Sequence, residues 1–62
     1  MPIVQVSLME GRDPVVLREL IAEVTRAVAD TLGAPPERVR VLVQEVPPHL
    51  WGVGGVAQAE RA

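Results

Sequence analysis

Between Asp13 and Gly33 lies one amphipathic stretch of nearly twenty residues, with a clear start and stop and a strand-like run on either side. Asp13 stands directly before Pro14. An aspartate carboxylate accepts from the free amides of a first helical turn, and proline suits the first helical position because its missing N–H is not needed there. Gly33 supplies the stop, made sharp by Pro35 and Pro36. Within the stretch, Leu17, Leu20, Ile21, Val24, Ala27, Val28, Thr31 and Leu32 follow the spacing of one stripe, and Arg18, Glu19, Glu23, Arg26 and Asp30 fall opposite. The spacing predicts a helix that lays one side on something apolar.

The flanking runs supply that surface. From Pro2 to Leu8, Val4, Val6 and Leu8 alternate with Ile3, Gln5 and Ser7, the period of a strand with one apolar face, and Met9 to Arg12 break the alternation. Val39 to Val46 reads as a second strand with apolar residues on both faces: Val39, Val41 and Val43 on one, Leu42 and Val46 on the other. Pro47 and Pro48 end it. Strand, helix and strand make one β-α-β unit, for which a right-handed crossover and parallel strands are expected. Trp51-Gly52-Val53-Gly54-Gly55 reads as a tight glycine-rich turn or short hairpin, and no element is assigned to the last seven residues. The fold class is therefore α+β, one domain over residues 1–62.

A chain of 62 residues buries only about 60 % of the surface its unfolded form exposes, so a lone copy would be marginal, and the usual supports of small domains are a disulfide, a metal or a partner copy. Cysteine is absent and His49 is the one histidine, which excludes disulfides and leaves no zinc set. Self-association remains. It is also what a strand apolar on both sides requires, because one helix covers only one face of a two-stranded sheet. Two copies about a twofold axis would give a four-stranded sheet with two helices on one side.

Six arginines against eight acids, without any run of like charge, argue against a nucleic-acid partner. No apolar run approaches the ~20 residues of a membrane span, and nothing has the form of a signal peptide. A soluble cytoplasmic protein is expected.

Few residues can carry chemistry. The hydroxyls are Ser7, Thr25 and Thr31, no nucleophilic triad can be assembled, and the glycines of 52–55 lack the Lys-Ser/Thr and helix of a phosphate loop. Pro2, Arg12 and Arg40 remain. Removal of Met1, ordinary before a small residue, would expose Pro2 as a secondary amine. An apolar pocket and neighbouring guanidinium groups both disfavour its charged form, which would let it accept a proton near neutral pH. A proline here also suits the start of an edge strand. Arg40, set among valines, fits either a salt bridge between subunits or a ligand contact. Arg12 fits a solvated loop, Trp51 a packing residue or a pocket wall, and His49 the surface.

Taken in order, these pieces resemble the 4-oxalocrotonate tautomerase family of the tautomerase superfamily. The likeness rests on Pro2-Ile3, on Leu8-Met9-Glu10-Gly11-Arg12, on the amphipathic helix and on Ala34-Pro35. It continues through Val39-Arg40-Val41 with Glu45 and the aromatic-Gly-x-Gly-Gly element at Trp51 to Gly55. The resemblance implies a β-α-β subunit of a homohexamer built from three dimers. It also implies an enzyme without cofactor or metal that moves a proton between oxygen and carbon of a small 2-hydroxydienoate such as 2-hydroxymuconate, in aromatic catabolism or a related biosynthetic route. By position, Pro2 would be the general acid/base. Arg40 would hold the 2-keto group and one carboxylate, and Arg12 the far carboxylate. Leu8 and Trp51 would line the pocket. Groups of one site would come from more than one subunit. The same frame allows a hydratase- or dehalogenase-like reaction on an unsaturated acid, and a non-catalytic subunit of a mixed hexamer. Trp51 replaces a phenylalanine of well-known members, and Pro47-Pro48-His49-Leu50 a more flexible stretch.

Overall fold

The computed structural model describes residues 1–61 and places a parallel strand pair, β1 (Ile3–Met9) and β2 (Arg40–Val46), beneath one helix, α1 (Pro14–Leu32). Ala62, the last residue of the expected domain, lies outside the described residues. The helix begins and ends where its caps dictate. Asp13 is extended (φ −62°, ψ 135°) and its carboxylate accepts from the Val15 N–H at 2.8 Å. At the other end Gly33 takes the left-handed conformation (φ 68°, ψ 28°), and the N–H groups of Gly33 and Ala34 both reach the Ala29 carbonyl.

β1 and β2 run in register from Ile3 opposite Arg40 to Met9 opposite Val46. Val4, Val6, Leu8, Val41 and Val43 are half-buried on the helix side, whereas Ile3, Gln5, Ser7, Arg40, Leu42 and Gln44 are exposed on the other. The expected strand over 39–46 loses its first residue. Val39 donates its N–H to the Pro36 carbonyl, closing a 3₁₀ turn over Pro36–Arg38, and the ladder starts one residue later with Arg40 N–H on the Pro2 carbonyl. Val39 is nonetheless buried.

The helix stripe also differs from expectation. Leu17, Leu20, Val24 and Val28 are half-buried, but Ile21, Ala27, Thr31 and Leu32 are exposed, and the most buried helical residue is Ala29, outside the expected stripe. Eight positions span a wider arc than a two-stranded sheet can cover. The covered line also drifts round the helix, from Leu17 and Leu20 near its start to Thr25 and Ala29 near its end, as packing on a twisted strand pair requires.

Past β2, a 3₁₀ turn over Pro48–Leu50 leads into a small antiparallel hairpin, β3 (Gly52–Val53) and β4 (Val56–Ala57). Its two-residue loop, Gly54-Gly55, has positive φ at both positions (60° and 87°), the type I′ geometry whose twist matches that of the strands. The segment left unassigned from sequence holds β4 and a closing 3₁₀ turn over Gln58–Glu60. Among the described residues no helix is long and apolar enough to cross a membrane.

One chain leaves its core unfinished. Among the described residues Ala29 and Val39 are the buried hydrophobic ones, and Ile3 and Leu42 are 60 % and 51 % exposed. The accessible surface is 4673 Å², whereas a folded monomer of 6.7 kDa is expected to show about 3,900 Å². The radius of gyration is 14.7 Å against about 10.6 Å expected for a compact chain of this length.

Candidate active site

The parallel register sorts the candidate residues to two ends of the sheet. At one end stands Pro2, half-buried, its carbonyl accepting from the Arg40 N–H at 2.9 Å. The two residues are therefore neighbours through the backbone ladder itself. The exposed Arg40 guanidinium donates from Nη1 to the Glu37 carbonyl at 2.8 Å, which ties it to the turn before β2 and leaves its remaining donors open. No carboxylate pairs with Arg40 among the described residues.

At the other end, the Glu10 N–H donates to the Val46 carbonyl at 3.0 Å, after which the chain turns into the Asp13 cap. Leu8 and Arg12 here line an apolar cleft of about 310 Å³ together with Val6, Val16, Leu17 and Leu20. Arg12 has no ion-pair or hydrogen-bond partner among the described residues. Trp51, half-buried, follows the turn that ends β2, and its carbonyl accepts from the Gln58 N–H at 2.7 Å, fastening the hairpin. His49 is exposed.

Pro2 and Arg40 thus come together, and so do Leu8 and Arg12, but the pairs lie apart. Seven strand steps from Pro2 to Met9, at ~3.3 Å each, put about 23 Å between the ends. A small dianion cannot bridge that distance within one chain. Val16, Leu17 and Leu20 also line this cleft; the helical spacing assigns Leu17 and Leu20 to the core stripe and leaves Val16 unassigned. The signal for them was available: Arg12 immediately precedes a capped helix, so apolar residues of the first turns lie beneath it. Among the described residues no three His, Asp or Glu side chains converge where a metal could be held.

These features define a class, the small β-α-β subunit with a proline at the head of its first strand and the candidate residues split between the ends of the sheet. The sequence pattern of the family described as Tautomerase enzyme matches residues 2–61, and the chain belongs to that family. A probable tautomerase of Ralstonia nicotianae is 51 % identical over 59 residues, covering 95 % of this chain and 84 % of the relative. The 2-hydroxymuconate tautomerase of Comamonas testosteroni is 40 % identical over 60 residues, covering 97 % and 95 %. Among solved structures, a heterohexamer 4-oxalocrotonate tautomerase from Chloroflexus aurantiacus superposes with a TM-score of 0.92 at 35 % identity, over the full length of both chains. The tautomerase fold expected from the sequence is the one observed, and the chain is a 4-oxalocrotonate tautomerase-like isomerase.

Proposed function

We propose that the chain ketonises a small 2-hydroxydienoate, of which 2-hydroxymuconate is the type, with Pro2 as general acid/base and without a cofactor. The observation that supports this reading is the backbone pairing of Pro2 with Arg40, whose N–H donates to the Pro2 carbonyl and whose guanidinium has no carboxylate partner among the described residues. Met1 is 79 % exposed, open to the removal that frees the Pro2 nitrogen.

In the free enzyme the secondary amine, sheltered by apolar side chains and flanked by guanidinium charge, is uncharged often enough to act as a base. It takes the proton of the 2-hydroxyl as the C2 oxygen becomes a carbonyl. The C2=C3 and C4=C5 double bonds become one at C3=C4, and the protonated amine returns its proton to C5. Arg40 holds the C2 oxygen and adjoining carboxylate with its planar fork, and Arg12 holds the distal carboxylate. Leu8 and Trp51 keep water from the amine.

Assembly completes the site. If the free edges of two β1 strands pair antiparallel about a twofold axis at their middle residue, Val6, then Pro2 of one copy stands opposite Glu10 of the other, two residues from its Arg12. The two half-sites then meet. The homohexamer built from such dimers covers the apolar face that one chain leaves open, consistent with the excess surface. The Chloroflexus aurantiacus relative, a heterohexamer, supports a second arrangement in which this chain shares its assembly with a different one. Native mass spectrometry of the protein from its own cells distinguishes the two.

The test of function is an ultraviolet ketonisation assay on 2-hydroxymuconate. Pro2→Ala is expected to lower kcat/KM by about 10²–10⁴-fold, the range for a positioned acid/base. Arg40→Ala should lower it by about 10–100-fold, the loss of a charged hydrogen-bonded contact. Full activity in either variant rejects the assignment.

A further inference from the structure

Arg40 is held by two bonds, one from its backbone and one from its side chain, and both depend on the turn before β2. In the 3₁₀ turn over Pro36–Arg38, the Arg38 N–H donates to the Pro35 carbonyl at 3.0 Å and the Val39 N–H to the Pro36 carbonyl at 3.1 Å. One more step of the turn would bring the Arg40 N–H to the Glu37 carbonyl. Val39 is extended instead (φ −86°, ψ 131°), so that N–H goes to the Pro2 carbonyl and opens the ladder. The Glu37 carbonyl, left over, is taken by Nη1 of the Arg40 guanidinium at 2.8 Å. A carbonyl is a neutral acceptor. It holds the guanidinium yet leaves the positive charge for an incoming carboxylate, which an acidic side chain in the same place would offset, and none pairs with Arg40 among the described residues.

The place of that carbonyl is set by Pro36. It is the first residue of the turn, its ring presets φ near the helical value, and no N–H is needed from it there. Pro35 is extended (φ −62°, ψ 138°), the conformation favoured ahead of a proline, so the entry to the turn is fixed as well. We infer that Pro36 is a positioning residue, which through the Pro36–Arg38 turn aims the Glu37 carbonyl and so preorganises the Arg40 guanidinium for the C2 end of the substrate. The inference rests on the proposed tautomerase reading of the site and adds to it a residue whose spacing alone marks only a helix stop. An unrestrained arginine surrenders rotamer freedom when it grips a ligand, and one held beforehand surrenders less. Release of the latch should therefore weaken substrate binding about five- to tenfold, a part of that freedom.

The experiment is a double-mutant cycle on ketonisation of 2-hydroxymuconate, using the full chain with Met1 removed. Pro36→Gly, which frees the turn, should raise KM about five- to tenfold and leave kcat within about twofold, because Arg40 is ordered on binding and stays ordered through the reaction. In the Arg40→Ala background the same change should alter kcat/KM by less than about twofold, since no guanidinium is left to aim. An unchanged KM, a loss that falls on kcat instead, or an equal loss in both backgrounds overturns the inference while leaving the tautomerase reading intact. A second measurement applies even where Pro36→Gly does not assemble. In ¹⁵N NMR of the parent protein, a latched guanidinium turns slowly and gives separate Nη signals, assigned by their loss in Arg40→Ala, whereas Arg12, with no protein partner among the described residues, gives averaged ones. Averaged signals from Arg40 overturn the inference. If no dienol is turned over, the tautomerase reading fails, and the latch is then judged by these signals alone: separate in the parent and merged in Pro36→Gly supports it, and no difference between the two overturns it.

Discussion

Leu42→Asp should take the assembly apart and abolish activity with it. Leu42 lies on the sheet face away from the helix, 51 % exposed beside Ile3 at 60 %. Complete burial of such a side chain is worth about 1.5–3 kcal/mol, so covering the exposed half of Leu42 contributes about 1 kcal/mol per chain. An aspartate forfeits that gain and sets a carboxylate against an apolar partner surface, at a further cost of about 3 kcal/mol when it finds no hydrogen-bonding partner. The total is about 4 kcal/mol per chain, on the order of a thousandfold in association constant. The single chain cannot absorb the loss by repacking, because it shows about 770 Å² more surface than a monomer of its mass should, close to the ~800 Å² each partner buries in a standard interface. Sedimentation velocity over a dilution series through the micromolar range, with ketonisation measured on the same samples, reads both consequences. Arg26→Ala is the control: its ion pair with Glu23 is 2.7 Å long but 62 % and 65 % exposed on the outer helix surface, and its removal should change neither reading. A Leu42→Asp protein that sediments as the parent does and retains its specific activity refutes the claim that this face is covered.

Two further changes probe the local devices that hold the site. Asp13→Ala removes the acceptor for the Val15 N–H and should cost about 1 kcal/mol, lowering Tm by about 4–8 °C in thermal circular dichroism at fixed protein concentration; an unchanged Tm would show the cap to be idle. Gly55→Val forces a β-branched residue into a φ of 87°, at about 1–3 kcal/mol, and should open the hairpin that fastens Trp51. The expected readout is a red shift of the tryptophan emission, and emission identical to that of the parent counts against a structured hairpin.

The sequence marks the helix boundaries because its caps are local chemistry: Asp13 and Gly33 act within a few residues of themselves, so no knowledge of the rest of the chain is needed. The sheet was legible as parity, since alternation tells which residues share a face. Val39 shows the limit. It has the parity and composition of a strand residue, yet its amide is taken by the Pro36 carbonyl, a competition between turn and ladder that alternation does not record. Ala29 was missed because a single methyl gives little signal where the sheet's twist brings the helix closest. The position of the site was least legible. Residues 2, 8, 12, 40 and 51 read as one list along the chain, but the parallel register divides them between two ends. That same register links core and chemistry. A slip of one residue between the strands would turn Val41 and Val43 outward and drive the Arg40 guanidinium toward the helix, where burying it unpaired would cost several kcal/mol. The pairing that hides the valines is therefore the pairing that leaves Arg40 open beside Pro2, so selection for a packed core also holds the proposed base and its cation in place.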